Sequence, residues 1–256
     1  MSFNLYSMSA DSINHQTLTN LCVILDLDAT LISTQESFDS FKQLGIIKNP
    51  NLIDIKRRCY CLKLTDIDTV AGDNIRYDFW GIKRPYIEEF LLFCFNYFKL
   101  VIVWSAGEKN YVEAIVENIF KGLRKPHLVW TKNDIVFDKD DNGLKPITKM
   151  INSDFHLKHL LTPERIFVVD DNDTTFVKNK KNAIYIPAFD PELDDDNHET
   201  TIKSFRKPDT TLLKLKYWLL LPHVRNCDDV TKLDLSTIFD YDHENYIKIA
   251  NSYENY

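Results

Sequence analysis

Asp26 and Asp28 stand one residue apart where the apolar run of "LCVILDLDATL" ends. Burying Val23, Ile24 and Leu25 and then setting two carboxylates at the strand's exit is costly, because adjacent carboxylates repel and each resists losing water. Such a pair calls for a cation between its members or a shared proton. Thr30 completes a D-x-D-x-T pattern. A second apolar run ends in Ser105, and a third in Asp170-Asp171. In open α/β sheets ligands bind outside the carboxyl ends of the strands, so polar endings on separate strands weigh more together than any one motif. Alone, the D-x-D pattern is weak. Residues 171–175 repeat it after a strand, and Asp66/Asp68 and Asp240/Asp242 repeat its first half without one.

The elements that must position these residues alternate. Continuous apolar runs at 21–27, 100–104, 165–169 and 183–186 fit strands of a sheet buried on both faces. Shorter strands are expected near 127–130 and 134–137. Helical patterns fall over 87–97 behind Pro85, over about 146–161, and over 212–221 between Pro208 and Pro222. Another follows Ser105, with Tyr111, Val112, Ile115, Val116 and Ile119 on one apolar stripe. Strands alternating with helices predict an α/β fold: a parallel sheet with helices on both faces, in three layers. Residues 33–51 are mixed, with a short helix, and 52–80 read as an inserted hairpin-like β layer. The expected organisation is a lead-in over 1–19, one domain over 20–225, and an acidic, tyrosine-rich tail or extra helix over 226–256.

The 256 residues suffice for a large core, and 44% hydrophobic with 27% charged residues is ordinary for a soluble protein. A formal net charge of −7 argues against nucleic acid as a direct partner. Five cysteines without a CxxC suit a reducing, intracellular setting, cytoplasmic or nuclear, rather than a disulfide scaffold. Cys59 and Cys61 are expected to pack inward on a strand rather than to share a metal. The polar stretch 1–16 does not read as a signal peptide, and no run is apolar and long enough to span a membrane.

The order of the polar endings along the chain resembles the haloacid dehalogenase phosphatase superfamily. Within it the sequence is similar to the RNA polymerase II C-terminal-domain phosphatases and nuclear-LIM-interactor-interacting factors. The resemblance rests on "VILDLDATLIST", "KRPYIEEFL", "LVIVWSAGEKNYVEAIVENI", "GLKPITKM", "RIFVVDDND" and "TTLLKLKYWLLLPHVR", and spans about 18–225 with a gap over 35–80. It implies a Rossmann-like sheet, magnesium as cofactor and phosphoester hydrolysis through an aspartyl-phosphate. Asp26 would be the nucleophile and Asp28 the general acid and base. Magnesium would be held by Asp26 and Asp171, the Asp28 carbonyl, and Asp170 as ligand or orienter, a hard oxygen set suited to that ion. Ser105, with the backbone N–H groups of Ala106 and Gly107, would hold a phosphoryl oxygen. Lys145 would neutralise phosphoryl charge, with Lys149 as the alternative.

Thr30 counts with the substrate-binding set or as a support for the loop. Arg84 either reaches substrate or braces the helix start. His156 and His159 read as surface residues, and Trp104 as core. Ala29 stands where the family more often has glutamate. The implied substrate is a phosphorylated protein or peptide, such as the polymerase C-terminal domain. A small-molecule phosphatase, a nucleic-acid 3′-end phosphatase and a non-catalytic binding module are the alternatives. An insert lying to the side would leave room for a phosphopeptide, whereas an insert over the site would favour a small molecule.

Overall fold

The computed structural model describes residues 17–65, 76–140, 142–153, 157, 159–242 and 244–248. Asp66, Asp68 and His156 lie outside them. The central sheet has five strands in the order β10-β9-β1-β5-β6. They are β1 (Cys22–Leu25), β5 (Leu100–Trp104), β6 (Leu128–Trp130), β9 (Ile166–Asp170) and β10 (Ala183–Tyr185), while β7 (Val136–Phe137) and β8 (Gly143–Leu144) pair with each other outside this sheet. Every neighbouring pair is parallel. Aliphatic and β-branched residues fill these strands, which are buried on both faces as their unbroken apolar runs predict.

Alternation divides the core. Val23, Leu25, Val101, Val103, Phe167 and Val169 face α3 (Ile87–Tyr97), α4 (Lys109–Ile119) and α7 (Thr211–Leu219). Cys22, Ile24, Ile102, Trp104, Ile166 and Val168 face the other side, with Ile147 and Met150 of α5 (Ile147–Ser153). Leu25 is level with Val103 on one side and Val169 on the other. Strand order reverses at β1, so the ends of β1, β5 and β9 open together at a topological switch point.

The inserted layer is an antiparallel sheet of three strands ordered β2-β4-β3: β2 (Ile32–Glu36), β3 (Cys59–Thr65) and β4 (Arg76–Lys83). It starts earlier than the 52–80 reading, because Ile32 to Glu36 pair with Lys83 to Phe79. Cys59 is half-buried and Cys61 exposed, while Tyr60 between them is buried. Cys59 packs against the insert's own core as expected, whereas exposed Cys61 does not. Helices α1 (Phe38–Gln43), α2 (Ile53–Arg58) and α6 (His198–Arg206) adjoin this sheet, and Phe41, Ile55, Trp80, Ile82, Phe189 and Phe205 form a separate small core. After α8 (Pro222–Arg225), the described tail residues Val230 and Ile238 are fully buried against the main core. Among the described residues, no helix is long and apolar enough to cross a membrane.

Candidate active site

Asp26 extends β1 by one bond, its N–H donating to the Val169 carbonyl at 3.0 Å. The chain then curls on one acceptor: the Leu27 carbonyl receives the N–H groups of Thr30, Leu31 and Ile32 at 3.3, 2.8 and 3.1 Å. Ala29 takes a left-handed φ of 54° to make that curl, a conformation costly for a residue with a Cβ. Thr30 is thereby turned toward Asp171 after β9, and Asp28 toward Tyr111 of α4.

Lys145 is 2% exposed. Its ammonium donates to Asp26 Oδ1 at 2.6 Å and to Asp170 Oδ2 at 2.8 Å. Its backbone N–H is anchored on the Thr175 carbonyl, and Thr175 Oγ1 also donates to Asp170 Oδ2. Thr30 is fully buried; its hydroxyl donates to Asp171 Oδ1 and accepts the Asp171 N–H, both at 3.1 Å. It ties the motif loop to Asp171 just after β9.

Carboxylate oxygens of Asp26, Asp170 and Asp171 lie within 4.8 Å of one another. An all-oxygen set of this size suits a hard divalent cation such as magnesium. The protonation balance fits the same need. Burial pushes the Asp26 carboxyl up to about 7, against the pull of Lys145 and with the push of Asp170. Burial also raises Asp28 and Asp171. Burial pulls the Lys145 ammonium down, but the fields of Asp26 and Asp170 outweigh it and hold the group above its ordinary value. One lysine does not neutralise this many acids, and a divalent cation would complete the charge balance.

Ser105 is 1% exposed, and its Oγ accepts the Gly107 N–H at 3.1 Å, closing a tight turn ahead of α4. Ala106 is exposed and Gly107 half-buried. Gly107 must be small, since a Cβ there would sit 2.8 Å from the Tyr111 ring.

The two lysines part company. Lys149 donates to the Asp134 carbonyl at 2.6 Å and lies over the Trp130 ring, away from the carboxylates. Arg84 is 1% exposed, and its guanidinium donates to Asp209, the Thr30 carbonyl and the Pro187 carbonyl at 2.9, 2.9 and 2.7 Å. These three partners tie the motif loop to the stretch after β10 and to Asp209 ahead of α7. His159 is exposed, and Trp104 is fully buried.

Sequence reasoning missed Thr175 as the support of Asp170. It also missed Tyr111, whose hydroxyl lies 2.5 Å from Asp28 Oδ1. Tyr111 sits in an apolar stripe, where only its hydroxyl distinguishes it from a core phenylalanine.

A family model described as NLI interacting factor-like phosphatase matches residues 21–231. The chain belongs to that family. The resemblance read from the motifs is thus met. Among solved structures, this NLI interacting factor-like phosphatase is similar to Fcp1, described as an essential RNA polymerase II CTD phosphatase. The TM-score is 0.51 and the identity 15%, over 92% of this chain and 63% of that one. Fission yeast Fcp1-R271A bound to beryllium fluoride gives the same score and identity, over 92% of this chain and 64% of that one. Identity this low carries the fold alone, the haloacid dehalogenase α/β architecture. The chain spans less than two thirds of these relatives. No curated protein matches it.

Proposed function

We propose that this phosphatase hydrolyses phosphoserine or phosphothreonine esters in proteins, with magnesium, through an aspartyl-phosphate on Asp26. The observation that carries the reading is the grouping of Asp26, Asp170 and Asp171 around Lys145, with Asp28 beside them. Asp26 attacks phosphorus, forming the Asp26 O–P bond as the bond from phosphorus to the serine oxygen breaks. The proton of Asp28 passes to that departing oxygen. Asp28 then takes a proton from water as the water oxygen bonds to phosphorus, the Asp26 O–P bond breaks, and inorganic phosphate leaves. Lys145 holds Asp26 in place and offsets negative charge as the phosphoryl group arrives. Ser105 and the N–H groups at the start of α4 offer hydrogen bonds to a phosphoryl oxygen. Magnesium, held by Asp26, Asp170 and Asp171, would supply charge neutralisation of the phosphoryl oxygens.

Exposed Ala106, Asn172 and Thr174 border the site among the described residues, which favours an extended peptide over an enclosed metabolite. The two solved relatives, both RNA polymerase II CTD phosphatases, make a polymerase-tail phosphopeptide the first substrate to try. Release of phosphate from that peptide, from phosphoglycolate and from a 3′-phosphorylated oligonucleotide should be compared at equal magnesium. The reading expects the peptide to be preferred. Preference for either other ester would move the substrate class, and inactivity of folded, magnesium-binding protein on all of them would indicate a binding module.

A further inference from the structure

Three hydroxyls run in a line from the inserted sheet to Asp28. Tyr60 Oη lies 2.6 Å from Thr34 Oγ1, Thr34 Oγ1 lies 2.8 Å from Tyr111 Oη, and Tyr111 Oη lies 2.5 Å from Asp28 Oδ1. The line joins β3, β2, α4 and the loop after β1. Tyr60 and Tyr111 are buried and Thr34 half-buried. A phenol has one proton. Tyr111 faces both Asp28 Oδ1 and Thr34 Oγ1 as a donor, so its single proton lies between the carboxyl and the insert, and Thr34 and Tyr60 hydrogen-bond to each other beyond it. The Tyr111 hydroxyl is thereby held against the carboxyl on one side and against the hydroxyls of the inserted sheet on the other.

Two glycines make room for the line. Gly81 pairs with both Thr34 and Tyr60 across β4. A Cβ at Gly81 would collide with Tyr60 Oη and Cζ and lie 2.6 Å from the Ser33 carbonyl, so the missing side chain lets the Tyr60 phenol lean across β4 to Thr34. Gly107 clears the other end, where a Cβ would press on the Tyr111 ring. Phe79 holds that ring from the insert side, with centroids 5.5 Å apart. If packing alone were at stake, phenylalanine at 60 and 111 would fill the same volume without polar atoms to satisfy.

Resting on the phosphatase reading above, we infer that Tyr111, backed by Thr34 and Tyr60, is a positioning residue that fixes the rotation of the Asp28 carboxyl. A donor held on Oδ1 leaves Oδ2 as the oxygen that turns to the reacting ester and carries the transferable proton. The inserted sheet thereby belongs to the reaction machinery. Misplacement of a reacting group by about 1 Å can cost 10²-fold.

The test is the leaving-group dependence of kcat/KM in wild type, Tyr111→Phe, Thr34→Val and Tyr60→Phe, all with magnesium. kcat/KM reports steps up to phosphoryl transfer onto Asp26 and leaves out breakdown of the phosphoenzyme. The probes are p-nitrophenyl phosphate, phenyl phosphate and a phosphoserine peptide. Nitrophenolate departs without a proton, whereas serine alkoxide needs one. Tyr111→Phe should lose roughly 10- to 100-fold on the peptide and under about threefold on p-nitrophenyl phosphate, with phenyl phosphate between. Thr34→Val should show the same tilt at smaller size, and Tyr60→Phe smaller again. Should Tyr111→Phe fail to fold, the tilt in Thr34→Val decides. Equal losses on all three esters, or none on the peptide, overturn the inference while leaving the phosphatase reading intact. A folded wild type inactive on all three esters overturns that reading, and this inference with it.

Discussion

The ammonium of Lys145 lies 2.6 Å from Asp26 Oδ1, between residues 119 positions apart in the chain. Asp170 closes the same ammonium from the other side at 2.8 Å. This pairing of Asp26, just after β1, with Lys145, just ahead of α5, sets the consequences of removing either member.

Replacing Lys145 with methionine leaves two buried carboxylates without their cation. The metal-free protein should lose about 3–5 kcal/mol, the range for breaking a buried pair by removing one partner. Activity should fall by about 10²- to 10³-fold, as for loss of a single charge-stabilising donor. Lys149→Met should leave kcat within about threefold, since its ammonium faces the Asp134 carbonyl. Urea unfolding and steady-state kinetics on both variants check the pair.

Burial holds Asp26 at about 7, above its ordinary value of 3.8. A carboxyl raised by folding binds its proton more tightly in the native state. Its contribution to stability is therefore fully present below about pH 4 and is lost as pH rises through about 7. The difference in unfolding free energy between wild type and Asp26→Asn, measured in EDTA, should shift in favour of the amide across that window. A difference that stays flat between pH 4 and 8 would contradict the assignment.

Magnesium should act as a stabilising ligand. At about 100 times its dissociation constant it adds about 2.7 kcal/mol to the native state. The rise in Tm should be clear in wild type at pH 8, smaller at pH 5 where Asp26 is protonated, and lost in Asp171→Asn. Calorimetric scans with and without the ion read all three.

Arg84 predicts a different pattern. Its guanidinium serves three acceptors on the motif loop, the stretch after β10 and the start of α7. Arg84→Met should destabilise by about 3–5 kcal/mol, because Asp209 loses its buried partner. Arg84→Lys should recover only part of this, since an ammonium cannot reproduce the planar fork. KM on the folded fraction should stay near wild type. A selective rise in KM without loss of stability would instead mark Arg84 as a substrate contact.

Much of this was legible in the sequence because burial on both faces leaves an unmistakable mark. The run at 100–104 matches β5, and 87–97 matches α3. The placement of Asp26, Ser105 and Asp170 at strand ends follows from the same runs. The expected helix over 146–161 appears as α5 over Ile147–Ser153, and residues 154–156 and 158 lie outside the described set. The helix α6 was missed: HETTIKSFR buries only Thr201 and Phe205, too little for a periodic signal. β2 was missed because ISTQE is mostly polar and is specified by its pairing with β4. Tyr111 was legible as core and illegible as the partner of Asp28, since the hydroxyl finds its acceptor 83 positions away. Periodicity reports which face of a helix is buried and is silent on which loop a buried hydroxyl meets.

The most direct test of the account is to trap the phosphorylated enzyme. A ³²P-labelled phosphoserine peptide, mixed with protein and magnesium and quenched in acid, should leave label on the peptide containing Asp26. Borohydride reduction of that acyl phosphate should convert Asp26 to homoserine, readable by mass spectrometry. Label is expected at Asp26 in wild type and nowhere in Asp26→Asn. Phosphate release from wild type without label at Asp26, or label that persists in Asp26→Asn, would contradict it.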